Sequence, residues 1–129
     1  MILLDSHVLI WAVADSKRLS KAAASAIRRA RRVDGLAVSA ITAYELAWQI
    51  ASGRIQGYGT VETSVLRFLE GVTMRPITPE IAALAAQFPE DYPRDPADRL
   101  IGATARAEGM TLVTRDERIR RSPLIRTVW

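Results

Sequence analysis

Short apolar runs alternating with helix-period segments constrain this chain more than any other feature. Ile2-Leu3-Leu4, Leu36-Ala37-Val38 and Thr111-Leu112-Val113-Thr114 are brief and almost continuously apolar, as strands buried on both faces are. Between them, apolar residues recur at three- and four-residue intervals. Residues 6–14 predict a helix with Val8, Leu9, Trp11 and Ala12 on one face. Ser20 caps a second helix over 21–32, whose apolar line is Ala23, Ala26, Ile27 and Ala30. A third spans 40–52 and ends at Gly53; Gly57-Tyr58-Gly59 marks a loop; a fourth runs from Thr60 to about residue 70, stopped by Gly71. A weaker strand over 72–77 precedes a helix that starts at Thr78-Pro79 and reaches about residue 88. After a Pro- and Asp-rich loop, Asp95-Pro96 opens a helix to Glu108, with Gly109 as its stop. The strand at 111–114, a helical turn over 116–121 and a last short strand within 124–128 complete the chain. This alternation predicts a three-layer α/β/α sandwich with a central parallel sheet.

The length of 129 residues fits one domain, residues 1–129, able to bury roughly two-thirds of its unfolded surface without staples. The absence of Cys excludes disulfides, thiolate metal sites and a cysteine nucleophile. No apolar run approaches the roughly 18 residues of a spanning helix. Met-Ile-Leu-Leu-Asp has no basic segment before its apolar residues, so no signal peptide is expected, and the expected compartment is the cytoplasm.

Charge is distributed unevenly. Sixteen of the 18 cationic residues are Arg, the side chain best suited to bidentate phosphate contact. They cluster at Arg28, Arg29, Arg31 and Arg32 and at Arg115, Arg118, Arg120 and Arg121. A polyanionic partner is one reading; solvated helix faces are the other, and the first cluster is assigned to that class.

The acids decide between them. Parallel α/β sheets place their sites beyond the carboxyl ends of the strands. Asp5 follows the first strand and Asp116 follows the 111–114 strand, while Glu45 and Asp98 lie early in helices. All four can approach one end of one sheet, where crowded carboxylates repel and titrate as a coupled set. A divalent cation relieves that repulsion, and oxygen-only ligands suit Mg²⁺ or Mn²⁺. An acidic metal cluster within an Arg-rich chain suggests phosphodiester chemistry. Each acid also has a capping explanation. Asp5 can cap the helix after it, Thr42-Ala43-Tyr44-Glu45 and Thr114-Arg115-Asp116-Glu117 have the capping-box form, and Asp95 and Asp98 sit at the N-cap and third position of their helix. Of that last pair, Asp98 flanks the apolar stripe of Ile101 and Ala105 and is expected in the site. Asp95 precedes Pro96 and is expected mainly as a cap or a supporting residue.

Four segments resemble the motifs of PIN-domain ribonucleases: Leu3 through Trp11, Ser39 through Trp48, Arg94 through Ala105, and Gly109 through Asp116. Their order and spacing span essentially the whole chain and resemble the VapC-type toxins of toxin–antitoxin pairs. The resemblance implies an endoribonuclease dependent on Mg²⁺ or Mn²⁺, with Asp5, Glu45, Asp98 and Asp116 as metal-site and catalytic residues. It also implies supporting hydroxyls at Ser6 and Thr114, a small antitoxin whose tail fills the active-site groove, and a homodimer.

Arg94, Arg99 and Arg115 are candidate phosphate contacts; Arg99 can equally pair with Asp95. His7 reads first as a helix-start residue making a local hydrogen bond, and Trp11 and Trp48 read first as core side chains, with base stacking the sharper possibility for both. Competing functions are a structure-specific DNA nuclease of the same fold and a non-catalytic, Mg²⁺-binding receiver-like domain. The latter needs a Lys late in the chain, whereas the lysines here are Lys17 and Lys21. A plain Arg-rich nucleic-acid binder leaves the acids unexplained.

Overall fold

The pleat of the strands decides the layering. The computed structural model describes residues 1–129. It contains β1 (Ile2–Leu4), β2 (Leu36–Ser39), β3 (Val72–Arg75), β4 (Leu112–Val113) and β5 (Thr127–Val128). All neighbours are parallel, in the order β3-β2-β1-β4-β5. The helices are α1 (Ser6–Ala14), α2 (Lys21–Val33), α3 (Ala40–Ala51), α4 (Val61–Phe68), α5 (Pro79–Ala86), α6 (Pro96–Glu108) and α7 (Glu117–Arg121), with a 3₁₀ turn at Ser16–Arg18.

Leu3 stands opposite both Ala37 and Leu112 in the sheet register. These residues face one layer, where they pack with Ile81 and Ala85 of α5, Ile101 of α6 and Ile119 of α7. Their neighbours Leu4, Leu36, Val38 and Val113 face the opposite layer, against Val8 and Leu9 of α1, Ile27 of α2, Leu46 of α3 and Phe68 of α4. Successive strand residues alternate faces, so one short apolar run feeds two cores. That is the expected three-layer sandwich.

The central strand is β1. The chain runs outward from it through β2 to β3, then crosses back to β4 and β5 on the other side. The direction of winding reverses between β1 and β4, and the crevice beyond their carboxyl ends is the place where such sheets carry sites. Asp5 and Thr114 directly follow these two strands.

Several elements are shorter than the sequence predicts. β3 ends at Arg75 because Pro76 has no N–H to donate to a ladder. α4 stops at Phe68 and α5 at Ala86, two residues before their predicted ends. β4 and β5 shrink to two residues each, although Leu112 and Thr114 still donate backbone hydrogen bonds to Arg126 and Val128. No helix is long and apolar enough to cross a membrane.

Packing is tightest at α6. Tyr92 is buried, and its hydroxyl donates to the backbone oxygen of Asp98 at 3.3 Å. The ring lies over Gly102, where an added Cβ collides with the hydroxyl and stands 2.9 Å from Ile125 Cδ1. Alanine ordinarily favours a helix over glycine by about 1 kcal/mol. Overpacking costs about 1–3 kcal/mol and wins here. Gly102→Ala is therefore expected to lower the urea unfolding midpoint; an unchanged midpoint means Tyr92 moves aside freely.

Candidate active site

Four acids arrive at one cavity from four elements. Asp5 leaves β1, Glu45 lies in the second turn of α3, Asp98 in the first turn of α6, and Asp116 caps α7. The cavity they line has a volume of about 470 Å³, and Asp95, His7, Trp11 and Arg115 share its wall. A larger cavity, about 590 Å³, lies along α7 and β5, but it gathers Arg120, Arg121 and Glu117 without a cluster of carboxylates. The smaller one, which gathers the four acids, is the candidate site.

Hydrogen bonds separate capping from other duties. Asp5 occupies the N-cap position of α1, yet its side chain makes no cap bond. Its Oδ2 instead accepts from Thr114 Oγ1 at 2.8 Å, deep in the protein. The Thr42–Glu45 capping box does not form. Ser39 is the N-cap of α3, accepting from Ile41 N at 3.3 Å, because the helix starts as soon as β2 ends. This leaves Glu45 too far along the helix to reach the cap. Glu45 Oε1 accepts from Ser6 Oγ at 2.6 Å, and Ser6 Oγ is also 2.8 Å from Thr42 Oγ1. Ser6 thus bridges the two, and Thr42, buried behind it, is a supporting residue that its sequence context did not single out. Only its pairing with Glu45 at helical spacing hinted at a role.

The second predicted capping box is shifted as well. The N-cap of α7 is Asp116, whose Oδ1 accepts from Arg118 N and Ile119 N, while Thr114 Oγ1 accepts from Asp116 N. Asp116 therefore caps with one oxygen and lines the cavity. Asp95 behaves as expected: its Oδ1 accepts from Ala97 N at 2.8 Å at the start of α6.

The electrostatics are those of a crowded anionic site. Burial, followed by the charges of Asp5, Asp95, Asp116 and Glu45, pushes Asp98 up to about 7. Burial also raises Asp5 and Glu45, partly offset by hydrogen bonds from Thr114 and Ser6 respectively. No three of these side chains stand close enough to one point to hold an ion as they are placed. They line the walls of one cavity, the arrangement mutual repulsion favours. The donor set is entirely oxygen, negatively charged and partly desolvated, which fits a hard dication.

The basic candidates separate. Arg115 lines the cavity. Arg94 is exposed and outside its wall. Arg99 is spent elsewhere: its guanidinium donates to the carbonyl oxygens of Ala85, Phe88, Pro89, Tyr92 and Pro93, clamping the loop before α6. Its expected role as a phosphate contact is corrected to a structural one, and the alternative pairing with Asp95 does not form either. His7 makes no local hydrogen bond; it is exposed on the cavity wall, 6.0 Å from the Trp11 ring. Trp11 is half-buried between Trp129 and Arg18. Trp48 is not core at all, being 47% exposed, because its position on α3 faces away from the sheet. Neither lysine lines the cavity, so the receiver-like alternative has no lysine where it needs one.

Thr114 offers a test of the buried network. Thr114→Val removes the donor to Asp5 and the acceptor for Asp116 N. Leaving a buried polar group unpaired costs about 1–3 kcal/mol. A lowered thermal midpoint is expected, with Thr114→Ser restoring it; equal midpoints for Val and wild type would remove Thr114 from the network.

Comparisons with known proteins agree with this architecture. A family model described as PIN domain matches residues 2–123. The chain is 48% identical over 130 residues to Ribonuclease VapC22 of Mycobacterium tuberculosis, covering 99% of this chain and 98% of that protein. Among solved structures, VapBC2 from Rickettsia felis bound to a DNA fragment from its promoter superposes with a TM-score of 0.76 at 17% identity, covering 98% of this chain and 97% of the other. DNA-bound VapBC from Salmonella typhimurium gives 0.72 at 19% identity, with the same coverage. At such low identities these two speak for the fold alone.

Proposed function

Because the chain belongs to the PIN-domain family, as a relative of the VapC ribonucleases, we propose that it is a metal-dependent endoribonuclease and the toxin of a toxin–antitoxin pair. The observation that supports this most directly is the convergence of Asp5, Glu45, Asp98 and Asp116 on one cavity. Two of these acids are held by buried hydroxyls rather than used as caps.

Asp5, Glu45, Asp98 and Asp116 are the residues that would hold the cation, Mg²⁺ or Mn²⁺. When bound, it supplies positive charge to a phosphodiester and activates water at neutral pH. The remaining duties fall to the chain itself. Thr114 holds Asp5 at one oxygen and Ser6 holds Glu45 at one oxygen, so each carboxylate is oriented at the cavity wall. Asp116 divides its oxygens between the α7 cap and the cavity. Asp95 fixes the first turn of α6, and with it the direction of Asp98. Arg115, on the cavity wall, meets the phosphate of the entering strand. Substrate is RNA, the neutralising partner is a small antitoxin protein, and the working unit is a homodimer.

The test is to incubate the protein with total RNA and with single- and double-stranded DNA in Mn²⁺, and to map new ends. Discrete RNA cuts absent from Asp5→Asn are expected. Cutting of DNA alone would replace the substrate, and no cutting of either would overturn the reading. Co-purification from the native host checks the partner, which is expected to bind and block cleavage.

A further inference from the structure

Beside the acidic cavity lies a second recess, of about 350 Å³, and the two share His7 and Glu45 on their common wall. Its other walls are Tyr44, Trp48, Gln49 and Arg54. Tyr44 and Trp48 are one helical turn apart on α3, so their rings line one face. Both are open to solvent, at 66% and 47% exposure. The Arg54 guanidinium lies 4.6 Å from the centroid of the Trp48 ring. A large aromatic side chain left this exposed gains nothing from the core, and here it is arranged with a second ring, a cation and an amide around a concave space.

We propose that this recess seats one nucleobase of the RNA strand, next to the phosphate held at the acidic cavity. The proposal rests on the ribonuclease reading above and adds a substrate subsite to it. Three features of the recess match a nucleotide. Tyr44 and Trp48 provide flat apolar surfaces of the kind on which single-stranded bases stack. Arg54 brings positive charge to a backbone of phosphates. The Gln49 amide offers both a donor and an acceptor to a base edge. Continuity favours a nucleotide over an unrelated ligand: the two recesses share His7 and Glu45, so a strand whose phosphate reaches Glu45 has room to place a neighbouring nucleotide past His7. Glu45 therefore serves two neighbours, the acidic cavity and the wall of the base recess. Trp48 does not take the core position its helical spacing suggests, and His7 stands exposed on the shared wall.

The experiment uses the full chain carrying Asp98→Asn, so that RNA is bound and not cut, with fluorescein-labelled 12-nucleotide single-stranded RNAs and Mn²⁺, read by anisotropy. Trp48→Ala is expected to weaken binding at least about fivefold, the loss of one base stack, and Trp48→Phe to recover most of it. Within the RNA, one abasic position is expected to weaken the Trp48-containing protein and to make no further difference to Trp48→Ala. Trp48 is exposed, so the Ala variant should fold; its unfolding midpoint and circular dichroism are the control. Unchanged RNA affinity in folded Trp48→Ala, or a flat abasic scan, overturns the subsite. If that variant keeps RNA affinity but loses a co-purifying protein or its self-association, the recess is a protein-docking surface and the proposal is likewise overturned. Failure of the ribonuclease reading looks different: the chain with Asp98 intact then cuts no RNA at all.

Discussion

Asp98→Asn is expected to reduce RNA cleavage by about a thousandfold while leaving the chain folded. Electrostatic stabilisation by a bound cation is worth several kcal/mol, and each 1.36 kcal/mol is about tenfold in rate. Asp98 lies in the first turn of α6, beside buried Ile101, and is not that helix's cap. The amide removes charge and a strong metal ligand but keeps the shape. Its effect on the metal-free protein has the opposite sign. Burial and the surrounding acids hold Asp98 at about 7 against an ordinary value of 3.8. A carboxyl raised in the folded state contributes stability that is fully present below about pH 4 and is lost as pH rises through about 7. At pH 8 the wild type bears that penalty and the Asn variant does not, so the variant should melt higher without metal. The two should converge near pH 4. The partner experiment is Asp95→Ser, which keeps an N-cap oxygen for Ala97 N and is expected to retain most activity. If Asp95→Ser is folded and as inactive as Asp98→Asn, Asp95 belongs among the ligands.

Chelation is expected to abolish cleavage entirely, with Mg²⁺ or Mn²⁺ restoring it. The same cations should raise the melting temperature, because they bind only where the fold brings the acids together. At a free concentration about 100 times the dissociation constant, the linkage amounts to about 2.7 kcal/mol. The affinity must depend on pH. Binding requires Asp98 to give up a proton held at about 7, so one-proton linkage makes Mn²⁺ binding about tenfold weaker at pH 6 than at pH 8. Raised Asp5 and Glu45 add to this dependence in the same direction. Calorimetric titration at the two pH values checks it. Equal affinities would place the cation away from Asp98, and full cleavage in excess EDTA would sink the metal mechanism.

Much of this protein follows from local sequence. The brief apolar runs dictate a covered parallel sheet, since Leu3 and Leu4 must face two different layers. Ser20, Thr60 and Asp95 cap the helices they precede, and Gly109 turns out of α6 at φ +67°, because caps and left-handed stops depend on residues within one turn. The position of the acids relative to strand ends was legible for the same reason. What the tertiary structure alone decided is which contact each polar side chain makes. Thr114 and Asp5 are 109 positions apart and Ser6 and Thr42 are 36 apart, so no local pattern can distinguish a buried bridge from a cap. Thr42 and Glu45 look like a capping box until β2 delivers Ser39 to the cap first. Arg99 looks like a phosphate ligand until the loop from Pro89 folds its carbonyls around the guanidinium. Trp48 carries a core residue's chemistry, and only the packing of α3 turns it outward. Hydrophobic period and capping are short-range and written in neighbouring residues. Hydrogen-bond partners, exposure and the field on a carboxylate are set by whatever the fold brings near, and that is decided by the chain as a whole.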